Sequence, residues 1–371
     1  MTKKILVLTA PFGSGHLQVS KALIKELKKH KHIKVEEYDI YSKELPRLTK
    51  FLQKAYLKSY KGIGKTIYKR LYHLADKAYY GSSKLLTPLF QKGVRTLKKK
   101  LEEFEPDILI LTFPVTSVHY LKSNINAYTV ITDYYANALW YHKDGACHYI
   151  GSEHIASVGL VKGLDVSQFK LTGIPVNEKF YAPLDKEKIR KKYDLSADKL
   201  VVVVSTGAHG VLSKAYEVAD GILNYPNMQG IIVCGSNDEL YDRLATQNQG
   251  NPRILTYTED MHELLEVADI LVTKSGGVSL TEAAIKGVPV LMHNPLAGQE
   301  YENAKYFVEK DAGIIAYAEE ELLSSLQWLA SDLPKMEQMQ QNMKNISQER
   351  SAEKIIRDIM EKEGWLKNEF L

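Results

Sequence analysis

Cysteine is scarce in this chain, and the short cysteine spacings of metal and redox sites do not occur. Cys147 and Cys234 are the only two cysteines among 371 residues, and they lie far apart. Paired cysteines at close spacing would be needed for a structural zinc site or a dithiol redox motif. The pattern is typical of a protein of the reducing cytoplasm, in which both thiols are small buried groups.

Long apolar runs are also missing. The N-terminal run from Ile5 to Leu8 is too short for a signal peptide. No stretch approaches the ~20 consecutive apolar residues that span a bilayer. The sequence therefore predicts a chain that is soluble or at most peripheral on a membrane.

Short apolar runs alternate with helix-like segments along the chain, which indicates a parallel α/β architecture. The chain is longer than the ~250–300 residues at which single cores stop growing, so two domains are expected. Ten strands are predicted, at residues 4–9, 33–40, 107–112, 127–132, 169–174, 200–205, 230–235, 253–257, 269–273 and 288–292. The economical fold is two doubly wound, Rossmann-like domains that face each other across a cleft and bind ligands at the carboxyl ends of their strands.

The domain boundaries follow from composition. Residues 175–199 are polar, contain two prolines and show no strand pattern, so they form the best linker candidate. We predict an N-terminal domain over residues 1–178, a linker over 179–199 and a C-terminal domain over 200–349. A final helix over 350–371 is expected to pack back on the N-terminal domain.

Positive charge is concentrated in one segment, residues 43–104. Between Lys43 and Lys100 there are sixteen Lys or Arg and two acidic residues, a local charge of +14 against +4 for the whole chain. On a helix, cations interleaved with Tyr, Phe and Leu are typical of a segment lying in the interface of an anionic bilayer. The predicted membrane contacts are Lys54, Lys58, Lys61, Lys65, Lys69, Arg70, Tyr56, Tyr60 and Tyr68. A solvated helical insertion is the alternative; single-stranded nucleic acid is disfavoured, because no recognised nucleic-acid motif accompanies the segment.

A glycine-bearing turn, Gly13, Ser14 and Gly15, follows the first predicted strand and leads to His16 at the start of a helix. This layout usually cradles a phosphate, but Gln18 stands where a dinucleotide fingerprint requires glycine or alanine. The turn therefore holds either a phosphate or a catalytic base.

A second glycine cluster lies in the other half of the chain. Ser275, Gly276 and Gly277 follow a predicted strand and open a helix, whose exposed N–H groups and positive dipole end suit an anion. Glu282, on the second turn of that helix, is a candidate for the hydroxyls of a ribose. A strand–helix corner that merely needs small residues is the alternative.

Two further tracts suit a sugar nucleotide. Gln299 and Glu300 place an amide beside a carboxylate, which fits the adjacent hydroxyls of a hexose. Gly207 and Ala208, in the loop after the first strand of the second half, offer further backbone donors. The Asp-x-Asp clamp of metal–nucleotide complexes is absent, so we predict no metal, with backbone N–H groups and either Lys274 or Lys214 neutralising the diphosphate.

With these loops in order, the sequence resembles the GT-B glycosyltransferases that make glycolipids. These are the bacterial diacylglycerol glucosyltransferases, the plant monogalactosyldiacylglycerol synthases and, more distantly, the transferase that adds N-acetylglucosamine to lipid I. The likeness runs from about residue 3 to residue 312. It rests on "GSGHLQVSKAL", "LTFP", "VITDYYANALWYH", "TGIPV", "STGAHG", "YTEDMHELLEVADILVTKSGG" and "NPLAGQEYENA".

The resemblance implies an enzyme that moves a hexose, glucose in the first instance, from a UDP-sugar to the hydroxyl of diacylglycerol with inversion. It implies action at the cytosolic face of the cell membrane, and a glycolipid product of the kind that anchors lipoteichoic acid. No cofactor beyond the UDP-sugar is expected, and the partners are diacylglycerol and an anionic phospholipid surface rather than nucleic acid.

The same resemblance assigns roles to residues. Gly13, Ser14 and Gly15 become the acceptor-side loop, and His16 the candidate base. Asp133, at the end of a predicted strand, is expected to orient His16 or to be the base itself. The donor site comprises Gly207, Ala208, Thr258, Met261, Ser275, Gly276, Gly277, Ser279, Glu282, Gln299 and Glu300.

Departures from the family pattern and rival functions remain. Many relatives carry proline where this chain has Ser275, and a bulkier apolar residue where it has His209; neither change removes a backbone donor.

A nicotinamide-dependent oxidoreductase is one rival function, because Asp39 ends the second strand where a ribose-binding acid belongs. A non-catalytic, membrane-bound UDP-sugar sensor is the other. Stabilisation by UDP or by NAD, and formation of product, discriminate among the three.

Overall fold

The structure is a computed structural model. It describes residues 2–11, 13–44, 46, 49, 87–115, 117–118, 124–212, 214–248, 251 and 253–366. Within those ranges, no helix combines the length and the apolar character that crossing a membrane would require.

The chain divides into two compact units. The first contains Met1–Asn177 and Gln348–Leu371, and the second contains Glu178–Ser347. The segment 179–199, predicted as a linker, belongs to the second unit. The first unit is therefore discontinuous in sequence, with the second inserted into it.

The described residues of the first unit form a six-stranded parallel sheet in the order β2-β1-β3-β4-β5-β6. Its strands are β1 (Lys3–Thr9), β2 (Ile33–Asp39), β3 (Ile108–Leu111), β4 (Asn126–Val130), β5 (Cys147–Ile150) and β6 (Phe169–Leu171). Its helices before the chain leaves the unit are α1 (Ser14–Leu27), α2 (Ile40–Glu44), α3 (Thr87–Phe104) and α4 (Glu153–Val161), with one-turn 3₁₀ helices at Ala138–Trp140 and Val166–Gln168.

The central position of β1 explains its composition. Ile5 pairs in register with Val35 of β2 on one side and with Ile108 of β3 on the other. Ile5, Leu6 and Val7 are fully buried although consecutive side chains point to opposite faces of the sheet. An apolar run without alternation is what a strand covered on both faces requires.

The second unit repeats this architecture over its described part, with the strand order β12-β11-β10-β7-β8-β9. Its parallel strands are β7 (Leu200–Ser205), β8 (Met228–Val233), β9 (Ile254–Leu255), β10 (Ile270–Thr273), β11 (Val290–His293) and β12 (Gly313–Ala316). Its helices are α5 (Lys186–Lys192), α6 (Ala215–Leu223), α7 (Asp238–Gln247), α8 (Met261–Val267), α9 (Gly277–Lys286), α10 (Gln299–Glu309), α11 (Glu319–Ser331) and α12 (Leu333–Ile346), preceded by a 3₁₀ helix at Glu178–Tyr181.

The last helix, α13 (Ser351–Lys362), belongs to the first unit and packs against α1. Asp358, on its buried face, accepts a hydrogen bond from the Tyr149 hydroxyl at 2.7 Å and one from the Lys362 ammonium at 3.0 Å. Lys170 donates to its other carboxylate oxygen. These contacts fix the returning chain to β5 and β6.

Both sheets reverse their winding direction beside their first strand, and this places the functional loops. In the first unit β1 lies between β2 and β3, and in the second β7 lies between β8 and β10. Ligands of doubly wound sheets bind where the carboxyl ends of such neighbouring strands diverge. The loops after β1 and β3, and those after β7 and β10, are therefore the expected places for ligand groups.

The prediction of two doubly wound, Rossmann-like units is confirmed, and each of the ten predicted strands is present with ends shifted by a few residues. Two strands were missed, β5 and β12. Their sequences, "CHYI" and "GIIA", are four residues long and carry polar or glycine positions, so a single-sequence pattern does not separate them from loops.

Candidate active site

The first functional loop joins β1 to α1. Gly13 precedes the helix with φ of +93°, a left-handed conformation that favours glycine, and a side chain built there would meet nothing within 4 Å. The helix begins at Ser14, followed by Gly15, and no side chain caps its first N–H groups. The loop thus presents open backbone donors next to His16.

His16 lies in the first turn of α1 and is buried, with 8% of its surface exposed. Its Nδ1 atom lies 3.0 Å from the carbonyl oxygen of Thr112 and 2.9 Å from the hydroxyl oxygen of Thr132. The ring of Phe113 meets the imidazole edge-on at a centroid distance of 4.9 Å, and Trp140 lies 6.0 Å away. Residues that follow β3 and β4 therefore contact the imidazole ring of His16 both at Nδ1 and at its face or edge.

Burial also determines the charge of His16. Desolvation lowers the pKa of the imidazole to about 4, against the opposing effect of the hydrogen bond to the Thr112 carbonyl. The ring is consequently neutral at physiological pH and has one nitrogen lone pair. The sequence-based argument used the ordinary pKa of ~6.5, and burial corrects it.

Asp133 directly follows Thr132 at the carboxyl end of β4, and 5% of its surface is exposed. It belongs to the same strand end as the hydroxyl that contacts His16. The structure thus brings Asp133 to the edge of the sheet that carries the acceptor-side loop, as the sequence suggested, and its catalytic role stays a prediction.

The second functional loop joins β10 to α9. Gly276 is the N-cap of α9 and supplies no side-chain cap, and a side chain built on it would meet nothing within 4 Å. The first intrahelical bond runs from the Leu280 amide to the Gly276 carbonyl at 3.0 Å, which leaves the N–H groups of Gly277 and Ser279 for an external acceptor. An open helix N-terminus of this kind attracts an anion.

Helix α10 holds this loop in place from the side. The Ser275 hydroxyl donates to the backbone carbonyl of Glu300 at 2.6 Å, and the Asn303 amide donates to the Ser275 carbonyl at 3.0 Å. A carboxylate oxygen of Glu300 in turn accepts from the Leu296 N–H at 3.1 Å. Glu300 is thereby 6% exposed and internally bonded, whereas Gln299 is partly exposed at the first position of α10.

Lys274 supplies a cation beside this loop. A side chain built on Gly207 would lie 3.2 Å from the Lys274 Cε and 3.5 Å from its Nζ, so the lysine runs along the loop after β7. Burial lowers the pKa of Lys274, and the charge of Glu300 opposes that shift. Lys214, the other candidate, pairs instead with Glu319 at 3.6 Å.

The glycine loop after β7 has a backbone that only small residues permit. Gly207 adopts φ of +77°, and Ala208 accepts a hydrogen bond from the Ser236 amide at 3.1 Å. A side chain at Gly235 would collide with the Gly207 carbonyl at 2.2 Å. The loops after β7 and β8 are thus locked against each other next to Lys274.

Glu282 occupies the second turn of α9 and is partly buried. Burial raises the pKa of its carboxyl to about 8, so the group is largely protonated at neutral pH. An acid held in this state is ready to bond hydroxyl groups of a ligand, which is consistent with the predicted ribose contact.

The predicted nucleobase region lies at the start of α8. The Thr258 hydroxyl accepts from the Asp260 amide at 3.0 Å, and Met261 is the first residue of the helix. Among the described residues, Asp260, His262 and Glu263 form a group able to hold a metal ion, with ligand-type atoms within 4.8 Å of one another.

A lysine already neutralises this acidic group. The Lys192 ammonium lies 2.6 Å from Glu263 and 3.8 Å from Asp260. The hydrogen bond to Glu263 raises the pKa of Lys192. The cluster is therefore an ion-pair network that ties α5 to α8.

Two residues that contact His16 were not singled out from the sequence, Thr112 and Thr132. Both lie just after strands within the quoted motifs "LTFP" and "VITDYY", but the sequence gives no sign that they meet His16. The predicted membrane contacts, Lys54, Lys58, Lys61, Lys65, Lys69, Arg70, Tyr56, Tyr60 and Tyr68, lie outside the described residues.

Two family profiles match consecutive parts of the chain. The monogalactosyldiacylglycerol (MGDG) synthase profile matches residues 16–176, and the glycosyltransferase family 28 C-terminal domain profile matches residues 199–361. The first begins at His16 itself, and the second includes the loops around Lys274.

Full-length relatives agree with these profiles. The chain is 35% identical over 373 aligned residues to the processive diacylglycerol beta-glucosyltransferase of Bacillus pumilus, covering 99% of this chain and 97% of the relative. It is 33% identical to the enzyme of the same name from Bacillus subtilis, covering 96% and 95%.

Solved structures share the fold at low sequence identity. The S. aureus MnaA–UDP structure superposes with a TM-score of 0.64 at 15% identity, covering 98% of both chains. Acinetobacter baumannii MurG gives a TM-score of 0.61 at 16% identity, covering 97% of this chain and 99% of that one. The GT-B fold class predicted from the sequence is confirmed by these likenesses.

Proposed function

This chain belongs to the family of the diacylglycerol glucosyltransferases and is a glycosyltransferase, and from that premise we propose the reaction it performs. It transfers a hexose, glucose in the first instance, from a UDP-sugar to the free hydroxyl of diacylglycerol. The relatives are named for a β-linked product. Because UDP-glucose carries its sugar in α linkage, a β product requires inversion in a single displacement.

The open N-terminus of α9, with Lys274 beside it, is the observation that carries this proposal. The N–H groups of Gly277 and Ser279 and the positive helix end suit the diphosphate of the donor. Gly207, which leaves room for Lys274, lets the cation lie near the same anion. We infer that Lys274 and the backbone together stabilise the departing UDP without a metal ion.

The remaining donor contacts follow the sequence-based assignment. Glu282 bonds the ribose hydroxyls, and the backbone around Thr258 and Met261 holds the uracil. Gln299, the more exposed of the pair on α10, faces the hexose hydroxyls, while Glu300 supports the loop that carries them.

The base belongs to the first unit. His16 is neutral and has one free lone pair, so it can accept the proton of the acceptor hydroxyl at Nε2. The acceptor oxygen then bonds to the anomeric carbon. The bond from that carbon to the diphosphate oxygen breaks, and its electron pair leaves with UDP. Asp133 is the alternative base.

The acceptor places the reaction at a membrane. Diacylglycerol resides in the bilayer, and the basic aromatic segment 43–104 offers a charge of the sign that anionic phospholipids attract. We therefore propose peripheral binding at the cytosolic face of the cell membrane, and a glycolipid product of the kind that anchors lipoteichoic acid.

A substrate panel tests the proposal. The protein is incubated with phosphatidylglycerol vesicles containing diacylglycerol and either UDP-glucose or UDP-galactose, and UDP release, lipid mass and anomeric configuration are measured. We expect β-glucosylated diacylglycerol, with one UDP released for each glucose transferred, and turnover that persists in EDTA. Absence of UDP release with every sugar would remove the enzymatic proposal, and thermal stabilisation by NAD but not by UDP would favour the oxidoreductase instead.

His16→Ala separates the base from the donor site. We expect this variant to lose transfer by at least about a hundredfold, within the range of general base catalysis. UDP affinity, measured by calorimetry, stays at the wild-type value because the donor groups lie in the other unit. Near-normal turnover of His16→Ala, combined with loss of turnover in Asp133→Asn, would assign the base to Asp133.

A further inference from the structure

Two oxygen atoms surround one nitrogen of His16, and only one hydrogen arrangement satisfies both. The Thr112 carbonyl oxygen, 3.0 Å from Nδ1, has no proton to donate. Nδ1 must therefore carry the hydrogen, because a lone pair there would face the carbonyl lone pairs. The Thr132 hydroxyl oxygen, 2.9 Å from the same nitrogen, then acts as a second acceptor of that N–H.

The topology explains how the three residues meet. His16 follows β1, Thr112 follows β3 and Thr132 follows β4, and these strands are adjacent in the order β1-β3-β4. Thr112 and Thr132 are 0% and 3% exposed, so water does not compete for the imidazole N–H. The Phe113 ring restricts rotation of the imidazole from the side.

We propose that Thr132 is a positioning residue for the base, holding His16 in the Nδ1–H form with the Nε2 lone pair directed to the acceptor hydroxyl. This inference rests on the proposed role of His16 as the base. Proton transfer leaves an imidazolium whose Nδ1–H faces two acceptor oxygens. A charge-assisted hydrogen bond is stronger than a neutral one, so the Thr132 contact is strengthened when the proton arrives.

The proposed role of Thr132 predicts which kinetic constant changes when the hydroxyl is removed. Thr132 acts on the proton-accepting step and touches no donor group named above. Its loss should therefore lower kcat, whereas the KM for the UDP-sugar and the affinity for UDP should not change. A residue needed only for folding would instead lower the amount of active protein or its thermal stability.

Three variants test this kinetic prediction. Thr132→Val keeps the shape of the side chain and removes the hydroxyl, and we expect kcat to fall about tenfold, the loss that one hydrogen bond to a charged group produces. Thr132→Ser keeps the hydroxyl and should return kcat to within about threefold of wild type. Thr129→Val is the matched control, because Thr129 is 2% exposed on the same strand and its hydroxyl has no partner within the described part of the chain. Its kcat should equal that of wild type, and its melting temperature should be equal or higher, because the change removes a buried hydroxyl without a partner among the described residues.

A spectroscopic measurement tests the hydrogen arrangement in the ligand-free protein. The ¹⁵N shifts of His16, assigned by comparison with His16→Ala, report which ring nitrogen carries the hydrogen. We expect the Nδ1–H form at pH 7, and observation of the Nε2–H form would overturn the inference whether or not the protein transfers sugar.

The kinetic results distinguish the positioning role of Thr132 from the role of His16 as the base. Wild-type kcat in Thr132→Val while His16→Ala is inactive would overturn only the positioning role. Equal losses in Thr132→Val and Thr132→Ser would overturn it as well, since the hydroxyl would then not be the active feature. Full activity of His16→Ala would instead remove the assigned base, and with it the premise.

Discussion

Burial keeps one basic and one acidic side chain of the candidate site in their neutral forms. His16 loses its proton at lower pH than a free imidazole, and Glu282 keeps its proton to higher pH than a free carboxyl. Both are thus neutral in the ligand-free protein at pH 7. The imidazole is ready to accept a proton, and the carboxyl is costly to ionise until a ligand bonds it.

Glu282→Gln should stabilise the ligand-free protein and weaken nucleotide binding. The unfolded chain ionises Glu282 near pH 4.3, whereas the folded chain does so at about 8. The folded state therefore binds more protons between these values, and Glu282 lowers stability progressively as pH rises from about 4 to 8. Thermal unfolding should show the variant gaining on the order of 4 kcal/mol at pH 8 and little at pH 4.

The same variant should bind UDP about two- to tenfold more weakly, since a hydrogen bond of a neutral group contributes about 0.5–1.5 kcal/mol. Calorimetry with UDP and with uridine measures this loss, and both ligands should be affected alike because they share the ribose. Unchanged binding of both would exclude Glu282 as the ribose contact.

Lys274→Met should weaken binding of UDP by about ten- to a hundredfold, since hydrogen bonds to a charged group contribute about 1.5–3 kcal/mol, and should leave binding of uridine nearly unchanged. The reason is that the ammonium lies along the glycine loop and is proposed to act on the diphosphate, which uridine lacks. Lys214→Met is the matched control, because Lys214 forms a surface ion pair with Glu319. Equal effects on UDP and uridine would indicate a general packing defect instead.

At the scale of elements, α13 shows how a polar cluster can dock a helix. Burial alone would raise the pKa of Asp358, but hydrogen bonds from Lys170, Tyr149 and Lys362 lower it below the ordinary range. The carboxylate is 6% exposed and fully bonded, so its charge is compensated within the cluster.

Asp358→Asn should destabilise the protein by about 2 kcal/mol at pH 7, because charge-assisted bonds become neutral ones. A depressed carboxyl pKa contributes stability that is present above pH ~4 and is lost as pH falls below it. The difference in unfolding free energy between wild type and variant, followed by chemical denaturation, should therefore shrink towards pH 3.

Glu361→Gln is the control, because Glu361 lies on the same helix and pairs with the exposed Arg357. It should change stability by less than about 0.5 kcal/mol. An equal effect of both variants would contradict the role of the cluster.

At the scale of the whole molecule, the charge is distributed unevenly along the chain. Residues 43–100 carry +14 while the complete chain carries +4. A net charge alone would not support the proposed membrane binding, but the concentration of positive charge in one segment does support that proposal.

Binding to anionic vesicles should therefore depend strongly on salt. Raising salt from 0.05 to 0.5 M shortens the screening length to a few ångström and should weaken sedimentation with phosphatidylglycerol vesicles by at least about tenfold. Replacing Lys61, Lys65 and Lys69 by Gln should weaken binding by about fivefold per residue, at ~1 kcal/mol each. The exposed lysines Lys186 and Lys188 of the second unit provide the control and should have no effect.

The sequence predicted the parts of this structure that depend on neighbours in the chain. Apolar runs such as Ile5 to Leu8 marked the buried strands, and the Ser275–Gly277 turn marked an open helix end, because each signal lies within a few consecutive residues. The contacts of His16 with Thr112 and Thr132 were missed, since those residues lie 96 and 116 positions away. Likewise, the internal bonding of Glu300 depends on a turn that only the folded backbone reveals.

The discontinuity of the first unit has a consequence for the order in which the protein matures on the ribosome. The second unit, Glu178–Ser347, is one continuous stretch and is complete before the last residues are translated. The first unit begins earlier but waits for α13, which is synthesised after the second unit, to contact β5 and β6. A stop codon placed just before Ser351 would therefore leave the second unit whole, yet it would remove α13 from the unit that emerged first.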